Sequence, residues 1–386
     1  MEFSTQLRNR AAMLQKSLVA SCIILVVVPL VAASAQNAAV SQTTSATALT
    51  YLNHVLDLMQ QNALHAREID WNAIRRETLQ RADGAQTTVD TYPAIYYALT
   101  QLKEHHSFFR LPDNLSEADR KRTQVAFENI LEAYRRQFPQ PPDSPFRSRS
   151  EPAGHMLHVG SLAIALVVVP TCGAKHSNWQ DNLADFQAYA DSLHRIASDL
   201  ESSHPIGWII DLRGNGGGNM WPMLAGIGFV LGEGRLGSFV APDGSSTDWS
   251  YHQGKAEAEA HGTESVNMEV KEPPLALPSL PLVAVLIDSG TISSGEAIAI
   301  SFEGRPRERS FGTHTFGLST SNAMFPLSDG ASLFLNTAFE TDRLNRRYDD
   351  GVEPDVRFPE PTTIPPEATD VVLQAAEAWL ASMNSQ

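Results

Sequence analysis

Ser293 stands in Asp288-Ser289-Gly290-Thr291-Ile292-Ser293-Ser294-Gly295-Glu296, where an apolar run ends, small residues crowd a turn and a helical pattern begins. A serine placed there is held rigidly, exposed on the turn and near the positive end of a helix dipole. Those are the needs of an activated nucleophile. The same letters also spell a capping box, Ser293-x-x-Glu296, and a hydroxyl engaged in capping is less free to attack. The two readings compete.

A second element, Gly214-Asn215-Gly216-Gly217-Gly218, leaves the end of another apolar run. Glycines let the chain turn sharply and present bare N–H groups. Two such donors aimed at one point can stabilise an oxyanion, at about 3–4 kcal/mol per donor. The run could also cradle phosphate, but it matches neither the P-loop lysine pattern nor the spaced dinucleotide fingerprint. A plain tight turn would rarely use four glycines in five positions.

His106, in Glu104-His105-His106-Ser107, is a candidate general base because imidazole titrates near neutrality. The chain has 12 histidines, however, and a lone one is more often structural. Neighbouring histidines on a helix point apart, and no H-E-x-x-H spacing occurs, so no metal site is expected. Tyr348-Asp349-Asp350-Gly351-Val352-Glu353-Pro354-Asp355 could supply a carboxylate to orient the histidine or the serine. It also reads as a charged surface turn.

These segments need elements to hold them. Leu52, Val55, Leu56 and Met59 mark one helix face, and Tyr92, Ile95, Leu99 and Leu102 mark another, ending just before the histidine pair. A third helix has Ser116 as its cap and Phe127, Ile130, Leu131 and Tyr134 as its stripe. Residues 137–153 hold five prolines and read as a linker. From Leu157 onward the character changes. Leu162 to Val169, Ile206 to Ile210 and Leu282 to Ile287 are buried strands. Between and after them lie helices at Leu183–Leu200, 220–231 and Gly295–Phe302. Residues 241–280, polar and then proline-rich, suit an excursion over the surface, and Ala331 to Ala338 is strand-like. Alternating strands and helices predict an α/β core. The expected organisation is a segment 1–35 to be removed, a helical lobe over 36–136, a linker over 137–155, a core over 156–365 and a last helix over 366–386.

Taken together and in order, the segments resemble the C-terminal processing (tail-specific) serine peptidase family. Leu102-Lys103-Glu104-His105-His106-Ser107 is similar to its L-x-D-x-H-S segment, Asp211 to Gly218 to its D-L-R-x-N-x-G-G strand end, and Thr291 to Glu296 to its T/S-x-S-x-x-E nucleophile turn. Thr315-Phe316-Gly317, Leu327-Ser328-Asp329-Gly330-Ala331 and Gly351-Val352-Glu353-Pro354-Asp355 are similar to T-F-G, L-x-D-G and G-I-x-P-D. The resemblance implies a crotonase/Clp-type core of stacked ββα units with a helical N-terminal lobe. It implies Ser293 as nucleophile, with oxyanion donors at the Gly216–Gly217 backbone and the Ser294 N–H. It also implies a polypeptide substrate and no cofactor.

Two departures narrow it. The best-known members place a lysine base directly after T-F-G, where this chain has Leu318, which cannot accept a proton. The tricorn-like branch resembles a serine–histidine system, which puts the base at His106 and a late-core carboxylate at Glu353, with Asp350 behind it. Many relatives also insert a peptide-tethering PDZ module before the core. Residues 110–156 are too few for a module of about 90 residues.

The N-terminus reads as an export signal: Arg8, Arg10 and Lys16, then an apolar stretch from Leu18 to Val31, then Ala33-Ser34-Ala35. Val19-Ala20-Ser21-Cys22 only loosely resembles a lipid-attachment box, so a periplasmic or secreted location without an anchor is expected. The formal net charge of −15 argues against nucleic acid and anionic membrane as partners. Cys172 is then the single remaining cysteine, which excludes a disulfide framework and reads as a small buried hydrophobe. Two other functions stay in view: a catalytically silent carrier on the same scaffold, which Leu318 suits, and acyl-CoA chemistry, which export disfavours.

Overall fold

The computed structural model describes residues 43–137, 144–176 and 179–384, so the expected export signal lies outside the described residues. The chain runs α1 (Ala46–Asn62), α2 (Trp71–Arg81), α3 (Tyr92–Leu99), β1 (Phe108–Arg110), α4 (Glu117–Gln137), β2 (Ala153–Val159), β3 (Leu162–Val168), α5 (Trp179–Glu201) and β4 (Trp208–Asp211). It continues with α6 (Met220–Leu231), β5 (Gly234–Val240), β6 (Ser246–His252), β7 (Lys255–Ala260), β8 (Thr263–Glu269), β9 (Val283–Ile287), α7 (Ser294–Phe302) and β10 (Glu308–Gly312). The last elements are β11 (Thr320–Pro326), β12 (Ser332–Asp342), β13 (Arg347–Tyr348), β14 (Val356–Arg357) and α8 (Val371–Asn384). None of the described helices is long and apolar enough to cross a membrane.

One sheet has the order β14-β10-β9-β4-β3-β2. Its strands are parallel except β2, which returns antiparallel on β3. All five residues of β9 are buried, because helices cover both faces of a parallel sheet. Alternation divides them: Val283, Val285 and Ile287 pack with α5, α6 and α7, while Ala284 and Leu286 face α8. Each such valine, leucine or isoleucine contributes about 1.5–3 kcal/mol of burial. The α/β core and the helical N-terminal lobe are as the sequence predicts.

The second sheet has the path β1-β12-β5-β6-β7-β8, with β11 and β13 also on β12. Three of its strands occupy 241–280, which sequence reading gave to a surface excursion. Its hairpins turn at Gln253-Gly254 and His261-Gly262, where both residues of each pair have positive φ (47° and 84°; 53° and 73°). That is the backbone of tight primed turns. The polar lettering hid strands that bury one face only: in β7, Lys-Ala-Glu-Ala-Glu-Ala, Ala256 is fully buried.

The N-terminal lobe is not a separate body. β1 pairs antiparallel with β12, and Leu52, Leu56 and Ile95 share one apolar cluster with Leu333 and Leu335. Ser116 caps α4 as expected, accepting from the Asp119 N–H at 3.1 Å. Phe127 and Ile130 pack on the cluster, whereas the side chains of Leu131 and Tyr134 lie outside the described ones. The expected linker is also docked where it is described: Phe146 is buried, and β2 begins at Ala153.

Candidate active site

Two strand ends meet here. β4 runs into Leu212-Arg213-Gly214 and the glycine turn, and β9 runs into the turn that carries Ser293. Asp288 ties them: its Oδ1 accepts from the Gly214 N–H at 2.8 Å and from the Gly290 N–H at 3.0 Å. Thr291 adds a second tie, donating to the Leu212 carbonyl at 2.9 Å. Burial raises the Asp288 carboxyl above the usual range, against hydrogen bonds from Ser144 and Gly214. Burial raises the Asp211 carboxyl too, but Arg213 and Arg149 outweigh it and hold the group at about 2. Arg213 is shared with Asp370 at 2.8 Å, so the base of the glycine turn is a fully paired ion network.

Ser293 has φ 55° and ψ −119°, a strained backbone for a residue other than glycine, on a strand-to-helix turn. Its N–H donates to Glu296 Oε2 at 2.8 Å, and its carbonyl accepts from the Glu296 N–H at 2.7 Å. The Ser293 hydroxyl lies 2.9 Å from His106 Nε2. Ser293 therefore joins the helix start through its backbone while its hydroxyl faces the imidazole, because a hydroxyl keeps donor and acceptor capacity separate from the backbone groups.

His106 comes from the loop between α3 and β1. Its N–H donates to Glu104 Oε2 at 2.7 Å, and its carbonyl accepts from Asn322 Nδ2 of β11 at 3.0 Å. Its other ring nitrogen, Nδ1, lies 2.9 Å from Thr320 Oγ1. With Ser293 donating to Nε2, the proton sits on Nδ1 and points at Thr320. Desolvation lowers the imidazole to about 4, with the neighbouring His105 adding to the effect. His106 is therefore neutral near pH 7 and able to take a proton. His105 points elsewhere, edge-on to Phe316 with ring centroids 6.0 Å apart.

Sequence reading put Glu353 at this histidine, and the structure does not. Glu353 is exposed, 3.3 Å from Arg357 and 3.9 Å from His314. The turn that carries it acts on another segment: the Val352 N–H donates to Thr315 Oγ1 at 2.8 Å and the Gly351 N–H to Ser319 Oγ at 3.1 Å. Gly351 has φ 79°, and a Cβ there would come within 2.9 Å of Glu296 Oε1. Asp350 lies against Gly317 rather than at the His106 ring.

Glu296, read from sequence only as a capping partner, binds this arrangement together. It is fully buried, and besides Ser293 it accepts from Thr315 Oγ1 at 2.6 Å and from the Gly317 and Leu318 N–H groups, each at 2.7 Å. Burial raises its carboxyl despite those four donors. Glu340 of β12 is buried behind it and raised well above the usual range by desolvation and by the Glu296 charge. Neither Thr320 nor the reach of Glu296 carries a sequence signal, since each lies beside its partners only after folding.

The glycine turn lies beside Ser293, with the N–H groups of Gly216 and Gly217 engaged within the protein. Gly217 packs on Ser293, where a Cβ would come within 2.9 Å of Ser293 Cβ. Yet the Gly216 N–H donates to Thr171 Oγ1 at 2.7 Å and the Gly217 N–H to Asn215 Oδ1 at 2.9 Å. The Ser294 N–H, first of α7, has no acceptor among the described residues. Cys172 is buried as expected, its thiol pushed up to about 12, and its backbone bridges to the glycine turn.

A strained serine turn, an imidazole in contact with its hydroxyl and the Ser294 N–H at the start of α7 are brought together on an α/β core. Residues 182–358 match the sequence model of peptidase family S41. The chain is 26% identical over 309 residues to the nisin-resistance protein of Lactococcus lactis subsp. lactis, covering 80% of this chain and 82% of that one. It is 30% identical over 193 residues to a carboxyl-terminal-processing protease of Synechocystis sp., which is 49% of this chain and 40% of the relative. Two solved structures share the fold. A lipoprotein from Streptococcus agalactiae has a TM-score of 0.62 at 21% identity, over 88% of this chain and 98% of that one. The photosystem II D1 C-terminal processing protease has a TM-score of 0.54 at 14% identity, over 86% and 98%. The family match covers residues 182–358, and together with the processing-protease relative it supports a serine peptidase activity.

Proposed function

We propose that this peptidase cleaves peptide bonds outside the cytoplasm by a serine–histidine mechanism. The 2.9 Å contact between Ser293 Oγ and His106 Nε2 is the observation that carries the reading. Ser293 Oγ attacks the substrate carbonyl while its proton passes to His106 Nε2. Thr320 Oγ1, facing Nδ1, holds the ring in the tautomer that makes Nε2 the acceptor. The imidazolium then returns the proton to the leaving amine, and water repeats the cycle on the acyl-enzyme.

The Ser294 N–H is the available oxyanion donor. The Gly216 and Gly217 N–H groups join it only if substrate draws them away from Thr171 and Asn215, which makes the described turn a resting arrangement. Leu318 replaces the lysine base of other members, and a histidine base resembles the tricorn-like branch. The expected signal over residues 1–35 supports export. The name of the nisin-resistance relative suggests nisin as a substrate to try. A silent carrier would have no use for a hydroxyl set against a desolvated imidazole.

The test is labelling by a serine-directed phosphonate together with turnover of unfolded casein and of nisin. Wild-type protein is expected to label and to cleave, and Ser293→Ala to do neither. Equal labelling of the alanine variant would refute the assignment.

A further inference from the structure

A cavity of about 460 Å³ opens beside the nucleophile turn, lined by Arg147, Arg149, Ser150, Thr171, Gly216 and Ile292. Gly216 belongs to the glycine turn, and Ile292 immediately precedes Ser293. The opposite wall is the segment that the prolines suggested was a linker. That segment is clamped. Ser144 donates to Asp288 Oδ2 at 2.5 Å, and the buried Phe146 ring lies beneath both Arg149 and Arg213, at 4.5 Å and 4.1 Å from its centroid. Gly214 makes room for it, since any side chain there would run into the Phe146 backbone.

Three arginines therefore gather at the cavity or under it, and their charges are not equivalent. Arg149 and Arg213 both bind the Asp211 carboxylate, at 2.6 Å and 2.7 Å. Arg147 is exposed and has no acidic partner among the described residues. Its backbone is fixed by the clamped segment, so an uncommitted guanidinium stands at the mouth of a cavity that touches the nucleophile turn. The chain has 44 acidic and 29 basic residues, which makes an unpaired arginine at this spot more telling. Thr171 faces the same space. Its hydroxyl oxygen already accepts from Gly216, which leaves its proton available to a ligand.

We propose that Arg147 forms a substrate subsite that binds a carboxylate close to the cleaved bond. A guanidinium presents two parallel N–H groups that match a carboxylate, and such a pair adds direction as well as charge. The carboxylate has two possible sources, the C-terminus of a peptide cut near its end or an aspartate or glutamate side chain beside the cut. The inference rests on the peptidase reading and adds the substrate class.

The test is a matched set of peptides with one core sequence. One pair ends in a free acid or an amide. A second pair carries glutamate or glutamine next to the cleaved bond. Each is assayed for kcat/KM with wild type, Arg147→Ala, Arg147→Lys and Arg147→Glu. Wild type is expected to favour the carboxylate member of one pair by about tenfold, the worth of one charged hydrogen-bonded contact. The pair that shows the preference identifies its source. The ratio should fall to about one in Arg147→Ala and recover in part in Arg147→Lys, and a fifth peptide with lysine beside the cleaved bond should become the preferred one in Arg147→Glu. That gain cannot come from misfolding. Equal kcat/KM for both members of both pairs in wild type, or an unchanged preference in Arg147→Ala, overturns the subsite while leaving the peptidase reading intact. Failure of Ser293 labelling overturns both.

Discussion

His106 Nε2 lies 2.9 Å from Ser293 Oγ although 187 residues separate them in the chain. The imidazole belongs to the N-terminal lobe and the hydroxyl to the α/β core. What joins them is sheet pairing: β1 follows the histidine loop and adds to the edge of β12, while β11 holds the loop from the other side. Four consequences can be measured.

The acid limb of activity should fall unusually low. Burial depresses His106 from 6.5 to about 4, so the base stays unprotonated until the pH approaches that value. Between 6.5 and 4 the unfolded chain binds a proton that the folded chain does not, so stability also declines across this window as pH falls. A kcat/KM profile with its acid limb near 6.5 would show that His106 is solvated or is not the base.

Thr320→Val should reduce kcat by about threefold to tenfold, the net worth of one hydrogen bond of about 0.5–1.5 kcal/mol. KM and thermal stability should change little, because the valine keeps the shape. Thr320→Ser should restore most of the rate. A kcat for the valine variant equal to wild type would remove Thr320 from the ring-orienting role.

The two glutamates should differ sharply. Glu353→Gln removes only exposed pairings with Arg357 and His314, so both Tm and kcat should stay within error. Glu296→Gln sets an amide N–H₂ against donors that now face carboxylate oxygens, and a loss of about 3 kcal/mol or more with collapse of activity is expected. Denaturant melts and phosphonate labelling of both variants decide it. Loss of activity in Glu353→Gln with Tm intact would reinstate that residue at the site.

Acid should loosen the base of the glycine turn. Asp211 is held at about 2 against an ordinary value of 3.8, so its contribution is complete above about pH 4 and is lost as the pH falls toward 2. The expected contribution is roughly 2 kcal/mol. Asp211→Asn should unfold at lower denaturant at neutral pH and show a flatter stability profile between pH 4 and 2. Parallel profiles for variant and wild type would contradict the paired assignment.

The sequence by itself determined a good deal about this protein. The buried strands of the α/β core, the helices between them, the serine turn, the glycine turn and the histidine were all legible. Each rests on neighbours in the chain: runs of β-branched residues, 3.6-residue periodicity, and glycines where the backbone must turn. Tertiary structure decided the rest. Whether Ser293 caps a helix or meets a base, whether Glu353 or Thr320 faces Nδ1, and how far Glu296 reaches all depend on groups from separate strands arriving within about 3 Å. Residues 241–280 and 144–149 were misread for a related reason. A strand buried on one face, and a proline-rich segment pinned by one phenylalanine, take their structure from what they pack against, and sequence order does not carry that information.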